Sequence, residues 1–162
     1  MTRPKLNVRA LRRLQRLITE EPRRFDFRFV WENRDYTMGW AEKYGIKPSA
    51  FPDCGTIGCF CGWLVGKPGQ RSLGEAVTEI AAMRLGVPWG FARENLFVYW
   101  DPALIGELNF GFVSSGVPIR TRAGVVLKPG TKRYAAVACR YLDLFIAKYQ
   151  SGGYDRELGV TQ

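Results

Sequence analysis

Leu11, Leu14 and the pair Leu17 and Ile18 recur at helical spacing near the start of this chain, while Arg9, Arg12, Arg13 and Arg16 fall at i, i+3, i+4 and i+7. The two patterns predict one amphipathic helix over residues 5–21. Its leucine stripe must be covered by a core, and its arginine face need not be. Pro22 ends it, because proline has no amide hydrogen and clashes with the preceding turn. Glu20 and Glu21 fall at the C-terminal end, where the macrodipole disfavours acids.

The 162 residues suit one core rather than two, so the chain reads as a single domain over 1–162, with 151–162 the least ordered part. Apolar residues make up 46% and charged residues 24%, and 5 Trp, 7 Tyr and 10 Phe supply large surfaces to bury. Phe25 to Trp40 begins with alternating aromatic and polar residues, as in a short strand. Pro48 and Pro52 frame a loop leading to Asp53, and Thr56 is placed to cap a helix running to about Gly66. Ser72 and Glu75 match a capping box, with Ala76, Val77, Ile80, Ala81 and Leu85 on one face and Gly86 and Pro88 as the stop. Residues 96–118 show no clean period, and Ile119 to Leu127 reads as a strand or hairpin arm. Thr131 caps a last helix carrying Val137, Tyr141, Leu144, Phe145 and Lys148, which stops before Gly152. The expected class is α+β, mainly helical, with three to four helices and a small sheet or hairpin.

The densest motif is Cys54-Gly55-Thr56-Ile57-Gly58-Cys59-Phe60-Cys61-Gly62-Trp63. Together with Phe25-Asp26-Phe27, Trp31, Ala81-Ala82, Leu85-Gly86 and Leu96-Phe97, this CGTxxCxxGW pattern resembles a family of small uncharacterised phage and bacterial proteins. The resemblance covers most of residues 10–100 and a C-terminal helix, and implies no activity. The chain departs from it at Cys61, where a small aliphatic residue is expected, and in a long insert between Phe97 and Thr131.

Physically, Gly58, Gly62 and Gly66 form a stripe at i, i+4 and i+8 against which another element can pack closely, and Cys59 beside it suits a small buried hydrophobe. The competing reading makes Cys54 a thiolate nucleophile or redox sensor, lowered in pKa by a helix N-terminus and assisted by Asp53. With no histidine in the chain, the usual Cys–His pair is unavailable, and core packing is the better account. Cys54, Cys59, Cys61 and Cys139 do not make a zinc site: C-x4-C-x-C is off the usual spacing, and i and i+2 project about 200° apart on a helix. The only Gly/Lys stretch with a Walker-like look, Gly62 to Pro68, lacks the hydroxyl after its lysine, so nucleotide hydrolysis is rejected. No metal or cofactor is expected.

Of the net charge of +9, residues 1–30 hold nine Lys/Arg against three Asp/Glu. Arg9, Arg12, Arg13 and Arg16, followed by Arg23, Arg24 and Arg28, suit a phosphate backbone or an acidic protein. The aromatic run Trp89, Phe91, Phe97, Tyr99 and Trp100 suits core better than base stacking. The N-terminal segment lacks the apolar run of a secretory signal, and no stretch reaches the roughly 20 residues of a membrane span. A cytoplasmic setting with reduced thiols follows, that of a host cell if the chain is phage-encoded. The functional expectation is a non-enzymatic binding protein, of the kind that inhibits host defence, engaging nucleic acid, a nucleotide-like signal or an acidic or nucleoprotein host factor. The alternative is a cysteine-dependent enzyme or thiol switch using Cys54.

Overall fold

The structure, a computed structural model, describes residues 2–25, 31–32, 57–58, 60–65, 74–111, 113 and 119–160, with backbone alone at 24, 31–32, 57–58, 61–62, 65 and 74–77. Helix α1 (Val8–Glu20) is where the leucine periodicity predicts it, and Leu11, Leu14 and Ile18 are buried. Its start is set by Asn7, whose side chain accepts from the Ala10 amide at 3.1 Å. A 3-10 turn follows at Pro22–Arg24 and delivers the buried ring of Phe25 to the core.

A two-residue strand β1 (Trp31–Glu32) pairs antiparallel with β2 (Ile57–Gly58), and α2 (Phe60–Val65) comes next. Helix α3 (Gly74–Leu85) ends in a Schellman motif: the Gly86 amide donates to Met83 O at 3.0 Å and the Val87 amide to Ala82 O at 3.2 Å. Gly86 has φ +71°, and a β-carbon there would stand 2.6 Å from the Lys5 carbonyl, so glycine is required on both counts. That close approach joins α3 to the N-terminal segment, as do Asn7 bonds to the Leu85 and Arg84 carbonyls.

Short helix α4 (Trp89–Ala92) runs into a π-helical turn at Arg93–Phe97. Helix α5 (Pro102–Glu107) has proline in its first turn and Asp101 as its cap. The longest helix, α6 (Lys132–Gln150), opens on Thr131, whose hydroxyl accepts from the Tyr134 amide at 3.2 Å. It lies antiparallel to α1: Arg12 bonds Asp143 near one end, and Thr19 meets Cys139 toward the other.

A row of aromatic rings runs through the core. Phe25, Phe60, Trp100, Tyr141 and Phe145 form a row of stacked rings with successive centroids 5.2, 5.8, 4.2 and 6.5 Å apart. Each such pair adds about 0.5–1.5 kcal/mol beyond area burial. Phe91, Tyr149 and Tyr154 gather around Phe145 at the far end of the row. Phe91, Phe97 and Trp100 are thus core, whereas Trp89 is 38% exposed.

The α+β expectation is corrected. Helix accounts for more than half of the described residues, in six α-helices rather than three or four, and no sheet or hairpin of the expected kind is built among them. Among the described residues, extended pairing is confined to the two-residue pair β1–β2 and two isolated bridges, Phe110 with Thr121 and Arg120 with Val126. Residues 119–127 fold back on three backbone bonds around Gly124 at φ +82° without extending into strands. Physically, the core among the described residues is built from helix faces and stacked rings. Residues 151–160 form turns, with Tyr154 1% exposed.

Candidate anion-binding site

Burial of Leu11, Leu14 and Ile18 turns the opposite side of α1 to solvent, and Arg9, Arg13 and Arg16 are exposed there. None of the three makes an ion pair with a described residue. Arg23, exposed in the turn after α1, has its backbone against Gly130, next to the start of α6. Arg24 is placed by its backbone in the same turn.

Arg12 behaves differently from its neighbours. It pairs with Asp143 of α6 and donates to Gln15 Oε1 at 2.8 Å. Gln15 in turn donates to the Cys139 carbonyl at 2.8 Å and to Asp143 at 2.9 Å. Burial pushes the Asp143 carboxyl up, but the bonds from Gln15 and Arg12 outweigh it and hold its pKa below the usual value. Arg12 therefore fastens α1 to α6, and the charge available to a partner is that of Arg9, Arg13, Arg16 and Arg23.

Between the two helices runs an open groove with two adjoining hollows of about 510 and 490 Å³, sharing Thr19, Cys139 and Asp143. Arg16 lines one bank, and Lys132 and Arg140 line the other. Lys132, Arg133 and Arg140 of α6 are all exposed, and Lys128 precedes them. These four cations were not singled out from the sequence, although Lys132, Ala136 and Arg140 recur every four residues after the Thr131 cap. They join the face of α1 only through the pairing of α6 beside it.

Cys139, half-buried in the groove, is a quiet thiol. Burial raises its pKa, the Thr19 hydroxyl at 3.5 Å pulls the other way, and the Asp143 charge raises it again, for a net increase. Alkylation of Cys139 in the native protein at pH 7 is expected to run about tenfold slower than that of a free cysteine, read by mass spectrometry of the labelled peptides.

The cysteine motif is divided by the described residues. Cys54, Asp53, Gly55, Thr56 and Cys59 lie outside them. The helix boundary assigned to Thr56 is corrected: Ile57–Gly58 is paired extended backbone, and the helix opens at Phe60. The dipole's positive end is therefore at Phe60, and Gly58 does not share a helix with Gly62, which removes the three-glycine stripe. Gly62 lies within α2, and Trp63 is half-buried against the core. The residue that the motif contributes most visibly is Phe60, fully buried in the ring stack.

No three residues among the described His, Cys, Asp and Glu are grouped to hold a metal ion, and no described helix is long and apolar enough to cross a membrane. No family model matches the chain, and neither a curated protein nor a solved structure matches it.

Proposed function

We propose that this protein is a non-catalytic binding protein that holds an anionic macromolecule on the exposed face of α1. The observation that carries the reading is the set Arg9, Arg13 and Arg16: three guanidinium groups on one helix face, exposed and without an ion pair among the described residues. Like charges at i and i+4, as in Arg9 and Arg13, destabilise a helix by about 0.2–0.5 kcal/mol, and an anionic ligand relieves that repulsion. Arginine suits the role because its planar fork meets phosphate or carboxylate oxygens in pairs. The resemblance to small phage and bacterial proteins adds a phage association, and an acidic or nucleoprotein host factor as partner suits an inhibitor of host defence, which belongs to the same proposal.

Reversing the three charges (Arg9→Glu, Arg13→Glu, Arg16→Glu) is expected to abolish retention on immobilised heparin at 0.1 M salt while leaving the helical circular dichroism spectrum intact. Arg12 is kept, since reversing it would face a glutamate with Asp143 and break the α1–α6 contact. Unchanged retention in the triple variant would remove α1 as the binding face.

A further inference from the structure

The basic surface does not end with α1. The antiparallel pairing of α1 and α6 places Arg23 beside Gly130 at the start of α6, and puts Lys132 and Arg140 across the groove from Arg16. Residues 8–24 and 128–143 together hold ten Lys/Arg and three Asp/Glu, one of the acids being Asp143, already paired with Arg12. These two segments therefore carry +7 of the chain's net charge of +9.

The placement of these cations is costly to the fold alone. Helix α6 has no acid in its first turn and begins with Lys132 and Arg133, where the macrodipole favours negative charge. Helix α1 likewise has no acid in its first turn and carries Arg9 there. Both helices present their cations where a bound polyanion would offset the repulsion.

The chemistry of the face selects among polyanions. Protein partners are gripped through apolar or aromatic anchors at the centre of an interface. The large apolar side chains exposed among the described residues are Met83, Trp89, Val125 and Val126, and none of them belongs to α1 or α6. Single-stranded nucleic acid is held largely by base stacking on aromatic rings. Helix α1 has no aromatic residue, and Tyr134, Tyr141, Phe145 and Tyr149 of α6 are all buried. What the face does offer is two rows of cations on helices whose axes, at ordinary packing distance, lie about 8–10 Å apart. That spacing is comparable to the groove widths of a duplex, about 6 and 12 Å, so the rows can meet phosphates on both sides of one groove.

We infer that the α1–α6 face binds the phosphate backbone of duplex nucleic acid, with Arg9, Arg13 and Arg16 on one helix and Lys132, Arg133 and Arg140 on the other. This rests on the anion-binding reading above and goes beyond it in naming the partner class and the second helix. Recognition is of charge and shape, without base readout, and weakens steeply with salt as counterions are released.

The test is fluorescence anisotropy with a labelled DNA duplex of about 20 base pairs, the same sequence as a single strand, and labelled poly-L-glutamate, each across 50–200 mM salt. Wild type is compared with R9Q/R13Q/R16Q, with K132Q/R133Q/R140Q and with the off-face control R122Q/R156Q. Each on-face triple is expected to lower the magnitude of the log–log salt slope by about 3, and the control to leave it unchanged. Neutralising exposed cations leaves the fold in place, and thermal melting verifies it. If the α1 triple loses binding while the α6 triple retains the wild-type slope, the two-helix surface is overturned and the α1 reading stands. Binding of polyglutamate without duplex, or tighter binding of the single strand, overturns the duplex assignment and likewise spares α1. Failure to bind any of the three probes at 50 mM salt overturns both.

Discussion

Replacing Asp101 with alanine is expected to lower the free energy of unfolding by about 3–4 kcal/mol, from loss of a helix cap and of a buried ionic contact together. Asp101 is 4% exposed and serves three elements at once. One carboxylate oxygen accepts from the Ala103 amide at 2.9 Å, capping α5. The other accepts from Lys148 Nζ of α6 at 2.6 Å and from the Tyr154 hydroxyl at 2.7 Å. The Asp101 amide donates to the Tyr141 hydroxyl at 2.8 Å, and that hydroxyl donates in turn to the Asn95 carbonyl. Removing the carboxylate leaves the Lys148 ammonium, largely shielded from water, without its partner, and for that reason Asp101→Ala combined with Lys148→Met is expected to recover part of the loss. Urea unfolding at pH 7 measures both variants.

The same carboxyl gives the fold an acid dependence of known sign. Burial pushes its pKa up, but the Lys148 ammonium, the Tyr154 hydroxyl and the Ala103 amide outweigh it, so the folded-state value lies below the ordinary one. A group whose pKa is depressed on folding contributes fully above its unfolded value, about 3.9 for aspartate, and loses that contribution as pH falls through the folded value. The gap between wild type and Asp101→Ala is therefore constant near neutrality and narrows below about pH 4. A gap that stays constant down to pH 2 would remove the Lys148 and Tyr154 contacts as its source.

The parts of this fold legible in the sequence are those decided locally. Leu11, Leu14 and Ile18 recur at the helical period, Gly86 and Pro88 punctuate a chain that must stop, and Thr131 begins the last helix with a side-chain cap. What local pattern did not reach was pairing between distant elements. Asp101 reads in sequence as an acid before Pro102, and nothing nearby indicates Lys148 or Tyr154 as partners. Arg12 looks identical to Arg9, Arg13 and Arg16 until Asp143, 131 residues later, comes to face it. The basic face was half visible for the same reason: the arginines of α1 form a run, whereas Lys132, Arg133 and Arg140 join them only through the helix pairing. Of the strand read into Phe25 to Trp40, the described residues beyond Phe25 are Trp31–Glu32, which are extended and paired, and the Phe25 ring closes one end of a stack running through Phe60 and Trp100.

Replacing Tyr154 with alanine is expected to cost about 3–5 kcal/mol, the range for emptying a buried aromatic site, although the residue lies in the closing turns of the chain. Its ring is 1% exposed and meets Phe91, Phe145 and Tyr149 with centroids 5.1, 5.5 and 6.3 Å away. Lys148 Nζ sits 4.3 Å from the ring centroid, a cation–π contact on the same ammonium that Asp101 holds. The segment is also tied from outside, because Arg3 donates to both carboxylate oxygens of Asp155 at 2.5 and 2.7 Å and to the Tyr149 and Gln150 carbonyls at the end of α6. Tyr154→Phe keeps the ring and loses only the hydroxyl bond to the Asp101 carboxylate, so its cost is expected to be about 1.5–3 kcal/mol. At about 2–4 °C per kcal/mol for a domain of this size, the alanine variant melts roughly 10 °C below wild type and the phenylalanine variant several degrees below. Equal melting temperatures for all three proteins would mean that the closing turns are not part of the cooperative core. The graded order would instead place them within it, with the ring contributing more than the hydroxyl.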